Sequence, residues 1–164
     1  METEGFDEGQ SEETYLKDIV IFMKNAHNGQ VDKMNKPFWH HPKRVGDAGI
    51  TTDAKVLGYI HDVVEDTIYD LEDLDGSGCF NGDVLVALDH ITHRENESYR
   101  DYIFRCCESP LAGEVKINDL RDNWSLLRFN PLDFSTQKRL NNKYRMAMRI
   151  VLDNMGVLEA QKEV

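Results

Sequence analysis

An all-α fold follows from three observations on the sequence. Apolar residues recur at three- and four-residue steps in segment after segment. No apolar alternation of period two persists anywhere, so no strand pattern competes. The 164 residues, 40% of them apolar, suffice for one hydrophobic core and leave no room for a second domain of ordinary size.

The elements can be taken in order. Residues 1–11 are rich in Gly and Glu and are expected to form a mobile acidic tail; residues 12–160 are expected to form the single folded domain. From Thr14 to Ala26, the positions Leu16, Ile19, Val20, Met23 and Ala26 form the apolar stripe of a core-facing helix, which Ser11 caps loosely. Asn28-Gly29 ends it, with His27 expected as a capping residue near its last carbonyls. Residues 28–38 read as a loop. Pro42 sits in the first turn of a short helix that reaches Ala48. Thr52 or Asp53 is expected to cap a helix running unbroken through Val56, Leu57, Ile60, Val63 and Val64 to about Thr67. Leu71–Leu74 reads as a turn-like element, and Gly76, Gly78 and Gly82 mark a loop. Further helices are expected at Asp83–Ile91, Ser98–Cys107, Leu111–Leu127 and Thr136–Met155.

Composition excludes several function classes. A net charge of −11 gives no counterion release on a polyanion, which argues against broad nucleic-acid binding. No apolar run approaches the roughly 20 residues of a membrane span, and Met1–Gly9 lacks the apolar stretch of a secretory signal, so a cytoplasmic protein with no membrane partner is expected. The three cysteines, two of them adjacent, are expected as reduced thiols. An acidic protein can still handle a small phosphorylated substrate where a metal and a few placed cations reverse the local field.

The chemistry centres on His61-Asp62-Val63-Val64-Glu65-Asp66. On a continuous helix Glu65 lies one turn above His61, and Asp66 one turn above Asp62. Three acids and an imidazole then crowd one side, and a divalent cation would relieve their repulsion. A solvated acidic face is the bland alternative. Two further clusters are weaker alone. His40-His41 reads equally as surface polarity, and Lys116, Asp119 and Asn123 share a helical stripe that reads equally as an exposed side.

Taken together and in order, these segments resemble a known family. Ala26-His27-Asn28-Gly29-Gln30 is similar to its AHxGQ opening, and Lys36-Pro37-Phe38-Trp39-His40-His41-Pro42 to its His-Pro segment. His61-Asp62 with Glu65-Asp66 matches HDxxED; Thr92-His93-Arg94, Tyr99 and Lys116 with Asp119 and Asn123 complete the pattern. Residues 15–150 thus resemble the hydrolase domain of RelA/SpoT-type alarmone enzymes and their small stand-alone relatives. The resemblance implies an HD-domain helical bundle and a divalent metal, usually Mn²⁺, held by His41, His61, Asp62 and Asp119. It implies Glu65 and Asp66 as the catalytic pair that positions and activates water. Lys33, Lys116 and Asn123 are implied as substrate contacts, Asn123 near a ribose. The implied substrate is a small nucleotide, (p)ppGpp, cleaved at the 3′ position to release pyrophosphate. Asp32 stands where many members carry a basic residue. Another nucleotide (a dNTP, a nucleoside monophosphate or NADPH) therefore stays open, as does a non-catalytic nucleotide sensor. No motif speaks to an oligomeric state.

Overall fold

The structure is a computed structural model that describes residues 10–127 and 132–156. Among these residues the chain forms nine helices: α1 (Glu12–Ala26), α2 (His40–Asp47), α3 (Thr52–Ile60), α4 (Val63–Asp66), α5 (Leu71–Gly76), α6 (Gly82–Ile91), α7 (Tyr99–Cys106), α8 (Pro110–Leu127) and α9 (Phe134–Asn154). The sole β feature among them is an isolated antiparallel bridge between Val31 and Pro37. The all-α expectation holds.

Side-chain caps set most starts, because the first N–H groups of a helix have no intrahelical acceptor. Ser11, Asn81 and Ser98 accept from Thr14, Val84 and Asp101, and Asp133 accepts from both Ser135 and Thr136. Asp70 and Asp73 form a reciprocal capping box, so the turn-like element expected at 71–74 is a true short helix. Ser11 caps α1 as expected; residues 1–9 of the expected mobile tail lie outside the described residues, as do residues 157–160 of the expected domain.

Two expectations around α3 are corrected. Its cap is Thr51, whose hydroxyl accepts the Ala54 N–H at 3.1 Å, not Thr52 or Asp53. The helix also does not continue to Thr67. It breaks at His61-Asp62, and α4 restarts at Val63. The cause is local: the Gly58 carbonyl, which would accept the Asp62 N–H in a continuing helix, takes the His61 Nδ1–H at 2.8 Å instead.

Helix α3 is the central element. Ala54, Val56, Leu57, Gly58, Tyr59 and Ile60 are all buried, which marks a helix covered on every side. Around it lie α1, α2, α6 and α8, which contribute Ile19, Val45, Leu88 and Val115 among others to one core. Fully burying a side chain such as Leu57 or Ile60 contributes about 1.5–3 kcal/mol. The approach of α2 to α3 is unusually close. A Cβ on Gly58 would lie 2.6 Å from Gly46 Cα, and one on Gly46 would meet the Tyr59 ring at 2.1 Å. Two glycines facing each other therefore set the spacing between the helices that carry His41 and His61.

Candidate active site

His41 is the second residue of α2, and its ring is directed at α8. Its Nδ1 lies 2.7 Å from Asp122 Oδ2. A carboxylate can only accept, so Nδ1 carries the proton and Nε2 faces the opposite way. Nε2 lies 3.2 Å from Asp119 Oδ1 and 3.5 Å from Asp62 Oδ2. His61 sits at the break after α3. Its Nδ1–H is held by the Gly58 carbonyl, and its Nε2 is buried with no hydrogen-bond partner. That nitrogen lies 3.2 Å from Asp62 Oδ1 and 3.7 Å from Asp119 Oδ1. The two rings meet edge to face at 5.3 Å.

Asp119 comes from α8 and is buried. Lys116, one turn earlier on α8, donates to its Oδ2 at 2.7 Å, and Asn123, one turn later, donates to its Oδ1 at 2.5 Å. The expected stripe of Lys116, Asp119 and Asn123 is thus a hydrogen-bonded row. Lys116 also donates to the Tyr102 hydroxyl, which in turn donates to the Ile91 carbonyl at the end of α6.

The structure therefore brings together the four side chains that the family resemblance implies as metal ligands. One ligand atom each of His41, His61 and Asp62 lie within 4.8 Å of one another, with Asp119 Oδ1 against both imidazoles. A divalent cation fits this set. Two imidazole nitrogens with two carboxylates suit first-row divalent ions, and the orphaned His61 Nε2 is the kind of buried polar atom that a cation satisfies. Both Nδ1–H groups are anchored, as metal-ligating histidines require.

The electrostatics record the crowding. Burial pushes His41 down, but the Asp119 and Asp122 carboxylates and the Asp62 charge outweigh it and lift its pKa to about 9. Burial likewise opposes the charge on His61, and the Asp62 carboxylate carries it well above its usual value. Asp119 is held well below the carboxylate range against its own burial, chiefly by the Lys116 ammonium.

Glu65 and Asp66, on α4, border the same cavity as His41, Asp62 and Asp119. Both have solvent access through it, yet the surrounding protein and then the Asp62 charge raise their pKa values. For Glu65 the nearby His93 main chain partly offsets the rise. Asp66 is tied through its carbonyl to Gln30 Nε2 at 2.6 Å. Gln30 also bonds His27, which proves to be the buried C-cap of α1.

The cavity measures about 580 Å³. Another part of its wall comes from residues 31–34, Phe38, Tyr99 and, on α9, Leu140, Lys143 and Tyr144. Lys33 is exposed on this wall. Lys143 stacks over the Tyr99 ring at 4.0 Å; burial and then the charges of Lys116, Arg139 and Lys33 lower its pKa. The cavity thus presents carboxylates together with the ammonium groups of Lys33, Lys116 and Lys143. Sequence reasoning missed Lys143, Tyr144 and Asp122, and it named His93 in a motif without giving it a role. Of these, Asp122 had a signal, since it falls three residues after Asp119 on the same face of α8. Asp32 also borders the cavity, but its Oδ1 accepts the Met34 and Lys36 N–H groups at 2.8 Å each, which folds the loop. The three cysteines are free.

No protein-family model matches the chain. Among solved structures it is similar to a metazoan ortholog of SpoT that hydrolyses ppGpp and plays a role in starvation responses. The TM-score is 0.71 and the identity 23%, over 86% of this chain and 85% of that one. At this identity the likeness speaks for architecture alone, and the chain shares the all-α helical-bundle fold of that structure.

Proposed function

We propose that the protein is a metal-dependent nucleotide phosphohydrolase, with (p)ppGpp as substrate and pyrophosphate released from its 3′ position. The observation that carries this reading is one cavity of about 580 Å³ lined by His41, Asp62 and Asp119, on whose carboxylates the His61 ring also converges, and by Lys33 and Lys143. His41, His61, Asp62 and Asp119 would hold a divalent cation, Mn²⁺ in the first instance. Such an ion, when bound, lowers the pKa of a water and polarises a phosphate oxygen.

The chain's own residues do the rest. Glu65 and Asp66 orient the attacking water and take up its proton; their raised pKa values favour that uptake. Lys33 and Lys143 offset negative charge on the phosphates. Lys116 is buried against Asp119 and stabilises that carboxylate first. The Asn123 amide donates to Asp119, which leaves its oxygen to accept from a ribose hydroxyl. Phe38, Tyr99 and Tyr144 offer apolar and aromatic surface for a base.

The second reading keeps the cation and changes the nucleotide, to a dNTP, a nucleoside monophosphate or NADPH. It is favoured by Asp32, an acid on the cavity wall where the resemblance leads one to expect a base. Metal analysis of the purified protein, followed by a nucleotide panel scored by product, decides between them. Pyrophosphate from (p)ppGpp supports the first reading. Triphosphate or orthophosphate from another nucleotide supports the second. Tight binding without turnover under Mn, Mg, Co and Fe would overturn both in favour of a sensor.

A further inference from the structure

Asp122 has no place in the chemistry described so far, yet it joins α2 to α8 at the centre of the site. Its Oδ2 lies 2.7 Å from His41 Nδ1. Arg44, one turn after His41 on α2, grips the same carboxylate with Nε on Oδ1 at 2.6 Å and Nη2 on Oδ2 at 2.9 Å. This two-pronged contact fixes the carboxylate plane as well as its position. Asp122 cannot itself reach the converging ligand atoms, because it stands on the far nitrogen of the ring.

We propose that Asp122, pinned by Arg44, is a positioning residue that holds His41 so that Nε2 is presented to a divalent cation. The inference rests on the cation reading given above. The two imidazoles are oriented by unlike groups: His61 by the neutral Gly58 carbonyl, His41 by a charged carboxylate. A carboxylate behind an imidazole raises its strength as a ligand as well as fixing its tautomer. One face of α8 thus supplies both Asp119, in front of the rings, and Asp122, behind one of them.

The test uses the full chain with Asp122→Ala, Asp122→Asn and Arg44→Gln. Mn²⁺ affinity is measured by competition with a chromophoric chelator. The His41 Nδ1–H is followed by nitrogen-15 NMR in cation-free and Zn²⁺-loaded protein. Asp122→Ala is expected to weaken Mn²⁺ binding by about 10–100-fold and to lose the protected Nδ1–H signal. Asp122→Asn keeps an acceptor and should recover most of the affinity, with Arg44→Gln falling between. Unchanged affinity in Asp122→Ala overturns the inference, as does an Asn variant as weak as the Ala variant, since orientation would then not be what Asp122 provides. Where the Ala variant fails to fold, the Asn and Arg44→Gln variants decide: a protected Nδ1–H in the first and a partial loss of affinity in the second support the inference, and the contrary results overturn it. Wild-type protein that binds no Mn²⁺ would overturn the cation reading itself, a distinct outcome seen before any variant is made.

Discussion

Gly58→Ala isolates the contact that spaces the two histidine-bearing helices. The new Cβ would stand 2.6 Å from Gly46 Cα and 2.7 Å from Gly46 N. Carbon atoms pack best at about 3.5–4.0 Å, so α2 and α3 must part by about 1 Å. Both partners are backbone, and no rotamer change can relieve the overlap. Overpacking of this kind costs about 1–3 kcal/mol. The helix-propensity gain from Gly to Ala returns only about 0.5–1 kcal/mol. A net loss of about 1–2 kcal/mol lowers the melting temperature of a domain this size by roughly 2–8 °C. Gly82→Ala at the start of α6 is the control, because its Cβ meets nothing within 4 Å; that variant should be neutral or slightly more stable. Thermal and urea unfolding followed by circular dichroism compare the pair, and Mn²⁺ titration shows whether parting the helices also weakens cation binding. Equal stability of the two variants would refute the packing argument.

Other outcomes follow from the site and its scaffold. Glu65→Gln and Asp66→Asn should each lower turnover by about 10²–10⁴-fold while leaving Mn²⁺ stoichiometry intact; full activity in both would remove them from the mechanism. His41, lifted to about 9, is protonated near neutral pH without a cation, His61 is shifted in the same direction by the Asp62 carboxylate, and a cation takes only the unprotonated rings. Mn²⁺ affinity should therefore rise with pH towards 9, and titration in weak buffer should acidify the solution; no proton release would count against these ligands. Arg105 donates to the Asp89, His90 and Thr92 carbonyls and to both oxygens of Glu97. Arg105→Met strands these acceptors and should cost about 3 kcal/mol, read by urea unfolding, with an unchanged midpoint speaking against the clamp.

Helix positions were legible in the sequence because periodicity and capping residues are local. The break at His61-Asp62 was not, because it depends on a ring nitrogen taking the Gly58 carbonyl, and periodicity continues through it in Val63 and Val64. The apolar run hid the point at which the chain turns. At the site, His61, Asp62, Glu65 and Asp66 stood out from spacing alone. His41 and Asp119 did not, since 78 residues of chain separate them and only the packing of α2 on α8 brings them to 3.2 Å. The basic wall was still less legible. Lys143 and Tyr144 lie in an ordinary amphipathic pattern, and they become cavity residues because α9 packs against α7 and α8.

The loop that begins at Val31 has one more consequence. Its ties are short-range: the bridge from Val31 to Pro37, the Asp32 and Lys36 main chains paired at 2.8 Å, Asp32 Oδ1 on two amides, and Asn35 at a φ of +58°. A segment closed on itself in this way can change sequence or length without disturbing its neighbours. It carries Lys33 and Met34 into the cavity, whereas the histidines and acids opposite are rooted in the core. On the proposed function, selectivity and chemistry would sit on separately inheritable pieces of chain, and a lineage could exchange its preferred nucleotide by rewriting a few loop codons while the hydrolytic apparatus passed on unaltered.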